Sequence, residues 1–172
     1  MPYVDPQTVH NPATGTVAPA TWGDTVRDDL EFLIDPPACS VFNSAAVSVT
    51  TGTTFTIMNA NSENFDNDGM HSTVSNTSRI TAQTAGRYLC LATATYASGT
   101  TGFRGLAFLH QGTTKFGEVQ ISPAAGGVGT AVTTAATRVL TAGQYVEVEA
   151  RHTQGSNLDV TLVEFAMIFI TR

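Results

Sequence analysis

From residue 39 onward, apolar residues recur at every second position in short runs, and segments containing glycine or asparagine separate these runs. A period of two is the repeat of a β-strand that buries one face. The runs follow one another at intervals of about 8–12 residues, with no helical pattern between them. This spacing predicts an all-β domain, either an antiparallel sandwich or a barrel. The predicted strands are CSVFNS, AAVSVT, TFTIMN, RITAQ, RYLCLATATYA, RGLAFLHQ, TKFGEVQIS, GTAVTTAATRVL, QYVEVEARHT and LDVTLVEFAMIFIT.

The final run, LVEFAMIFIT at positions 162–171, is apolar at nearly every position. A strand with one face in water alternates in polarity, so this run predicts a central strand that is covered on both faces. The core of the domain can cover only one of them. Because a large continuous apolar patch favours association, a second subunit is the expected cover for the other face.

One segment ahead of the strands, TWGDTVRDDLEFLIDPP, has a helical repeat instead. Thr21 stands at the position of an N-cap, Asp24 follows three residues later, and Pro36 and Pro37 end the pattern, so the predicted helix spans about 21–35. A helix of this length is marginal in isolation, so its apolar stripe must pack on the β domain or on another molecule. The stripe consists of Trp22, Val26, Leu30, Leu33 and Ile34.

The first 20 or so residues carry four prolines and no apolar periodicity. They are predicted to form an extended arm without a core of its own. We therefore divide the chain into an arm and helix for attachment, residues 1–38, and a head domain, residues 39–172. The polar, proline-broken start does not resemble an export signal, and no run approaches the ~20 apolar residues of a membrane helix. We expect the chain to fold where it is made, without a membrane partner.

Charge and cysteine usage exclude two further classes of protein. The net charge is −6, Lys115 is the only lysine, and the seven arginines are scattered singly. A nucleic-acid-binding protein normally carries a basic stripe, so no nucleic-acid partner is expected. Without an export signal, Cys39 and Cys90 are predicted to be small buried side chains with free thiols rather than a disulfide.

The residues that could support catalysis or metal binding do not form a recognisable site. Glu147 and Glu149 share one strand face, and we interpret them as outward residues of a solvated strand rather than as a catalytic pair. The segment GGVG is predicted to be a hairpin tip, and no serine-hydrolase elbow is present. The sequence therefore predicts neither an enzyme nor a bound cofactor. Four histidines lie far apart without ligand spacing and are predicted to be surface or hydrogen-bonded residues: His10, His71, His110 and His152.

The segment ENFDNDGMH brings Glu63, Asp66, Asp68 and His71 close together. Alternating oxygen donors followed by glycine resemble part of a calcium-binding loop. The closing glutamate of the full loop is absent, however. A tight turn stabilised by aspartate and asparagine side chains accounts for the same residues and is the favoured interpretation.

From residue 55 to the end, the order of landmarks resembles the trimeric jelly roll shared by tumour necrosis factor and the globular heads of complement. Ile80 precedes a G-x-Y pattern at Gly86 and Tyr88, and Gln111-Gly112 stands where the family commonly has an Asn-Gly turn. An L-x-x-G-x-x-V pattern follows at Leu140, Gly143 and Val146, with Gln144 in place of the usual aspartate, and FAMIFI matches the closing strand.

This resemblance implies a ten-stranded, two-sheet jelly-roll sandwich that forms a homotrimer through its inner faces. It does not imply an immune function. The residues that we assign to the trimer interface on this basis are Tyr88, Phe165, Met167 and Phe169.

The segment PATWGDTVRDDLEFLIDPPA is similar to an opening found in virion proteins of tailed bacteriophages, in which a proline-rich start leads into a helix. Trp22 lies five residues before Arg27-Asp28, and Leu30 follows. This resemblance implies attachment to a virus particle and other virion proteins as partners. The residues predicted to anchor the chain are Trp22, Val26, Leu30 and Leu33.

Together these features predict a bacteriophage virion structural protein. It would be a trimeric surface module, serving as capsid decoration, head fibre or tail component, assembled in the host cytoplasm and located on the virion surface. An alternative is an adhesin for host attachment, in which the loops SGTTG, SPAAGGVG and HTQGSN contact a host glycan or protein. A depolymerase is a remote alternative.

Overall fold

The computed structural model of the protein describes residues 20–171. This part of the chain forms one helix, eleven strands and a short 3-10 turn at Ala125–Gly127. The predicted arm and His10 lie outside the described residues. The helix α1 spans Ala20–Ile34. The strands are β1 (Ala38–Asn43), β2 (Val47–Val49), β3 (Thr56–Met58), β4 (Ser62–Asp66), β5 (Arg79–Thr81), β6 (Gly86–Tyr96), β7 (Arg104–His110), β8 (Thr114–Ile121), β9 (Thr130–Leu140), β10 (Tyr145–His152) and β11 (Leu158–Thr171).

The strands form two antiparallel sheets that pack face to face, so the sandwich is confirmed and the barrel is not formed. A six-stranded sheet has the order β4-β1-β11-β6-β9, with β2 also pairing with β11. A five-stranded sheet has the order β3-β10-β7-β8, with β5 also pairing with β10. The all-apolar β11 lies between β1 and β6, which confirms that it is a central strand.

The core lies between the two sheets and consists of the alternate residues that each strand turns inward. Cys90 of β6 is in register with Met167 of β11, and both are fully buried. Phe165 of the six-stranded sheet reaches Phe108 of the five-stranded sheet, with ring centroids 5.8 Å apart. Such aromatic contacts supply much of the apolar area that holds two sheets together.

Gly86, the first residue of the G-x-Y pattern, has a packing role at the start of β6. A Cβ atom at this position would overlap the ring of Phe169 and lie 2.7 Å from the carbonyl oxygen of Thr171. Tyr88, two residues on, is buried and donates a hydrogen bond from its hydroxyl group to the carbonyl of Thr84 at 2.7 Å. The pattern therefore marks the point where the start of β6 lies close beside the end of β11 in the same sheet.

The two ends of the sandwich differ. Residues 35–37, 111–113 and 141–144 gather at one end, next to α1, which we call the helix end. The connections 97–103, 122–129 and 153–157 gather at the opposite end, which we call the loop end. The up-and-down path of the long strands from β6 to β11 produces this division.

Three details differ from the sequence-based prediction. The ten predicted strands are present, but the structure adds β4, whose sequence SENFD is too polar to be recognised as a strand. The helix begins at Ala20, so Thr21 lies inside its first turn. The segment containing GGVG is not a hairpin tip, because β8 and β9 belong to different sheets and residues 122–129 cross between them.

Candidate interaction surfaces

The outer face of the five-stranded sheet is covered by a network of charged and aromatic side chains. The ammonium group of Lys115 lies 2.9 Å from Glu149 Oε1 and 3.3 Å from the centre of the Phe55 ring. Arg151 contacts the same ring at 4.4 Å and pairs with Glu118 at 2.7 Å. With both charges and rings already engaged within the chain, this face offers little apolar area to a partner.

The same network corrects the interpretation of Glu147 and Glu149. They were predicted to be outward, solvated residues, but they are only 3% and 5% exposed. Glu147 accepts a hydrogen bond from the hydroxyl of Ser78 at 2.7 Å and pairs with Arg79 at 3.3 Å. Neighbouring strands supply side chains that cover β10, so these carboxylates are held in ion pairs.

The outer face of the six-stranded sheet has the opposite character. In the part of β6 and β11 nearer the helix end, the side chains that alternate with the core residues are apolar and in register: Ile168 with Leu89, and Ala166 with Leu91. Towards the loop end the outward residues become polar, with Thr93 and Thr95 on β6 and Glu164 on β11. The neighbouring strand β9 adds Val139, which is 65% exposed. We define the apolar face by its outward residues Phe42, Leu89, Leu91, Ala135, Val139, Leu162, Ala166 and Ile168.

The predicted interface residues do not lie on this face, and that assignment has to be corrected. Tyr88, Phe165, Met167 and Phe169 are between 0% and 8% exposed within a single chain. They point into the sandwich core, where Phe165 contacts Phe108 and Tyr88 contacts Phe169. The residues that meet solvent are the intervening ones on the same strands. The one glutamate of β11, Glu164, is exposed and alternates with the buried set, so its charge is the sequence signal for the outward face.

One carboxylate lies in the middle of the apolar face. Glu164 is exposed on β11, opposite Phe42 on one side and Thr93 on the other. Thr93 in turn shares a hydrogen bond of 2.9 Å between side-chain oxygens with Thr133. An open groove of about 350 Å³ runs over this region. The residues that line it include Leu91, Thr93, Thr133, Glu164 and Ala166.

The helix α1 contacts the head through one aromatic residue and a set of hydrogen bonds at its C-terminal end. The ring of Phe32 packs edge-on against Phe169 with centroids 5.1 Å apart. After the helix, Asn67 accepts a hydrogen bond from the Ala38 amide at 2.7 Å and donates to the Asp35 carboxylate at 2.6 Å. These contacts fix the base of α1 at the helix end of the sandwich.

The predicted apolar stripe of α1 does not pack on the head. Leu30, Leu33 and Ile34 are 52%, 72% and 81% exposed, and Val26 is half-buried. The helical period places this stripe well around the helix from Phe32. The side chain of Trp22 lies outside the described residues. The stripe is the largest exposed apolar surface that the helix presents.

The three loops predicted as recognition loops lie at the loop end, and two of them, SGTTG and HTQGSN, are held together by hydrogen bonds. The Thr153 amide donates to the Phe103 carbonyl at 3.2 Å, and the Thr101 hydroxyl donates to the Gln154 carbonyl at 3.0 Å. Arg104 is fully buried between these segments and donates to the Gln154 side chain at 2.7 Å. Burial lowers the pKa of Arg104. The side chain of the buried Arg104 therefore connects the segment before β7 to residues 153–157 at the loop end.

The Asp66 region forms a tight turn, as predicted. Its Oδ1 atom accepts hydrogen bonds from the amides of Asp68 and Met70, and its Oδ2 atom accepts one from the amide of His71 at 2.9 Å. The ring of His71 bridges Glu63 at 2.8 Å and the Thr77 carbonyl at 3.1 Å. Within residues 20–171, no group of three or more histidine, cysteine or acidic residues is arranged to hold a metal ion. The carboxylate of Asp66 serves the backbone of the turn.

The other described histidines are also structural. His110 accepts a hydrogen bond from Arg138 at 3.0 Å, and the ring of His152 lies 2.8 Å from the Val49 carbonyl in the core. Both cysteines are free and buried, as predicted. Burial raises the pKa of each thiol to about 12, with a smaller contribution from Asp66 at Cys39.

No protein-family model matches this chain, and no curated protein matches its sequence. Among solved structures, it is similar to the globular domain of zebrafish complement 1qA protein, with a TM-score of 0.56 and 17% identity over 79% of this chain and 98% of that one. The chain has the jelly-roll fold of the complement and tumour necrosis factor heads. It is also similar to Eiger TNF from S. frugiperda, with a TM-score of 0.50 and 12% identity over 78% of this chain and 94% of that one.

The resemblance of the sequence to the jelly roll of tumour necrosis factor and complement is thereby confirmed at the level of the fold. In the part of the chain that the structure describes, the single helix is too short and too polar to cross a membrane.

Proposed function

We propose that this protein is a homotrimeric structural module of a bacteriophage virion, attached through its N-terminal arm and helix, with its loop end directed outward. The observation that carries the proposal is the contrast between the two outer faces of the sandwich. One face is covered by ion pairs such as Lys115–Glu149, and the other leaves aliphatic side chains in register on neighbouring strands partly exposed.

The apolar face supports self-association because its aliphatic side chains adjoin one another across two strands. Leu89, Leu91, Ala166 and Ile168 form a continuous patch on the two central strands. Monomeric proteins rarely expose large contiguous apolar patches, and association through such a patch removes it from water. The resemblance to the trimeric jelly-roll family favours three copies around a symmetry axis rather than two.

Attachment through the helix is supported by the position of α1. The helix is fixed to the head at Phe32, at the end of the sandwich opposite the loops, and it leaves Leu30, Leu33 and Ile34 exposed. A head attached at this end directs residues 97–103 and 153–157 away from its support. The virion setting rests on the resemblance of residues 19–38 to phage virion proteins. Capsid and tail positions fit this geometry equally well.

Sedimentation of the full chain at micromolar concentration tests the trimer. We expect a species with three times the chain mass, and we expect Ala166→Glu to give a folded monomer because it places a charge at the centre of the apolar face. Val128→Glu is the matched control, since Val128 is 57% exposed at the loop end. A wild-type monomer at this concentration would disprove the trimer.

Attachment is tested by removing residues 1–35. The shortened chain retains all eleven strands, so we expect it to form a trimer that no longer joins particles. Particles assembled with either chain would be purified and their content of this protein measured. Normal incorporation of the shortened chain would rule out attachment through the helix.

A second candidate function, recognition of a host surface, is favoured by the joining of two loops at the loop end. The hydrogen bonds between Thr101, Phe103 and residues 153–154 hold these two loops in one arrangement. A preorganised loop surface on a rigid sandwich suits recognition. Binding of the purified head to host cells, and its loss in a Gln154→Ala variant that disturbs the Arg104 contact, would support this role.

A further inference from the structure

We infer that α1 docks into an apolar groove on a partner protein whose edges carry lysine and arginine side chains. This inference rests on the proposed attachment through the helix and specifies the chemistry of the partner surface. It is carried by two properties of the helix, an exposed aliphatic stripe and a net negative charge.

The stripe cannot be covered by the head of the same chain without breaking the observed contact. Phe32 holds one side of α1 against Phe169, and the stripe residues Leu33 and Ile34 lie well around the helix, 72% and 81% exposed. Turning the stripe inward would expose Phe32 and separate the two rings. The described residues of the head therefore leave the stripe uncovered.

The charges on α1 are mostly negative. The helix contains four acidic residues and one arginine, Arg27, which gives a net charge of −3. Arg27 is already shared between Asp24 at 3.2 Å, Asp28 at 2.9 Å and Glu31 at 3.8 Å. A partner surface with basic edges would complement this charge, whereas an acidic one would be repelled.

A groove between α1 and the head extends the negative surface. It has a volume of about 220 Å³ and is lined by Phe32, Pro37 and Asn67 together with four carboxylates. The Oδ2 atom of Asp68 is buried and accepts no hydrogen bond from the described residues. A guanidinium or ammonium group could lie against the Phe32 ring and meet carboxylate oxygens at the same time. The carboxylates of the groove belong to Asp28, Glu31, Asp35 and Asp68.

A second copy of α1 is a poorer occupant of the stripe. Helices related by the symmetry of a trimer would bring equal net charges of −3 together at close range. Like charges on adjacent helices destabilise their association. If the helices nevertheless associate with one another, sedimentation of the chain without residues 1–35 will detect it.

The test uses the full chain and two fluorescent amphipathic peptide helices that share a leucine stripe and differ only in their flanking residues, lysine in one and glutamate in the other. Fluorescence anisotropy at low and at high salt gives both affinities. We expect the lysine peptide to bind about ten-fold more tightly, which corresponds to a few exposed ion pairs, and this preference to shrink at high salt.

Two sets of variants separate the apolar and the charge contributions. Leu30→Ser combined with Leu33→Ser should abolish binding of both peptides, whereas Val74→Ser, at a head position that is 91% exposed, should change nothing. Asp28→Asn combined with Glu31→Gln should remove the preference for lysine while keeping the stripe. Equal affinities for the two peptides, or no binding of either, would overturn the inference.

Sedimentation of the same samples distinguishes this inference from the proposed function. If the chain is a monomer and still prefers the lysine peptide, the proposed trimer fails and the inference stands. If the chain is a trimer that joins particles and the Leu30 and Leu33 substitutions leave attachment unchanged, the inference fails alone. If removing residues 1–35 converts the trimer to monomers, the helices cover one another and the inference is also wrong.

Discussion

Phe32 of α1 packs edge-on against Phe169 of β11, with ring centroids 5.1 Å apart, and joins the N-terminal helix to the closing strand of the jelly roll. The ring of Phe169 is only 8% exposed and also contacts Tyr88 in the core. The orientation of the helix is therefore coupled to the packing of the head. An edge-to-face aromatic pair contributes about 0.5–1.5 kcal/mol beyond the area that it buries.

We expect Phe32→Ala to loosen α1 while leaving the head folded. Limited proteolysis should cleave the variant within residues 20–37 faster than the wild type, and the thermal unfolding temperature of the head should change little. Leu33→Ala is the control, because Leu33 is 72% exposed and contributes little to this junction. Equal cleavage rates for Phe32→Ala and the wild type would show that the aromatic contact does not hold the helix.

Gly86→Ala should destabilise the head by about 1–3 kcal/mol through overpacking. The added methyl group would overlap the Phe169 ring and approach the Thr171 carbonyl oxygen to 2.7 Å, and backbone atoms cannot move aside cheaply. Gly23→Ala is the control, since a Cβ atom there meets nothing within 4 Å, and it should leave the stability of the head unchanged. Chemical denaturation measures the free energy of unfolding of both variants. A neutral Gly86→Ala variant would show that the closing strand can shift.

Most of the strands and their order along the chain could be predicted from the sequence. The strands were recognisable because alternation and turn residues are local properties, and the order of Gly86, Tyr88 and Gly143 was enough to identify the jelly roll. The strand β4 escaped recognition because it lies at the edge of its sheet and has few apolar residues.

The side-chain environments were harder to predict because they depend on contacts between distant residues. Glu149 appeared solvated until Lys115 and Phe55, both distant in sequence, were seen to cover it. Phe165, Met167 and Phe169 were assigned to an interface but lie in the core. The charge of Glu164, which is exposed on β11, was the sequence signal that marks the outward face of this strand. The helix itself was predicted from its local pattern, but only the structure shows that Leu30, Leu33 and Ile34 face away from the head.

The pair formed by Lys115 and Glu149 should contribute measurably to stability. Glu149 is 5% exposed, so Lys115→Met would leave a buried carboxylate without its counter-charge, 2.9 Å away in the wild type. We expect a loss of about 2–4 kcal/mol, and partial recovery when Glu149→Leu is added, because the unpaired charge is then removed. A double-mutant cycle from denaturant titrations measures the coupling, and a coupling near zero would contradict the prediction.

Alkaline pH should destabilise the protein through buried acidic groups. Burial raises the pKa of Cys39, Cys90 and Tyr88 to about 12, from ordinary values of 9.0 for the thiols and 10.0 for tyrosine. Burial also raises the pKa of Tyr96. Above pH 9 the unfolded chain loses thiol protons that the folded chain retains, so the unfolded state becomes relatively more favourable.

The free energy of unfolding is therefore unaffected by thiol ionisation below pH 9. As the pH rises from 9 toward 12, it falls by about 1.4 kcal/mol per pH unit for each of the two thiols. Denaturation midpoints between pH 8 and pH 11 should fall more steeply for the wild type than for a Cys39→Ala, Cys90→Ala variant. Both thiols should resist alkylation until the chain unfolds. Rapid alkylation of the native protein at neutral pH would contradict the assigned burial.

Glu164 should limit the affinity of the proposed trimer. Its carboxylate lies among Phe42, Thr93 and the aliphatic side chains of the apolar face, and association through this face would remove it from water. Threonine hydroxyls compensate only part of the cost of burying a charge. Glu164→Gln keeps the shape and a hydrogen-bonding group while removing the charge, so the trimer dissociation midpoint should fall by about ten-fold or more in concentration. Glu118→Gln on the opposite sheet is the matched control, and sedimentation over a dilution series measures both. If the two variants dissociate at the same concentration as the wild type, the copies do not meet through the apolar face, even if the protein is a trimer.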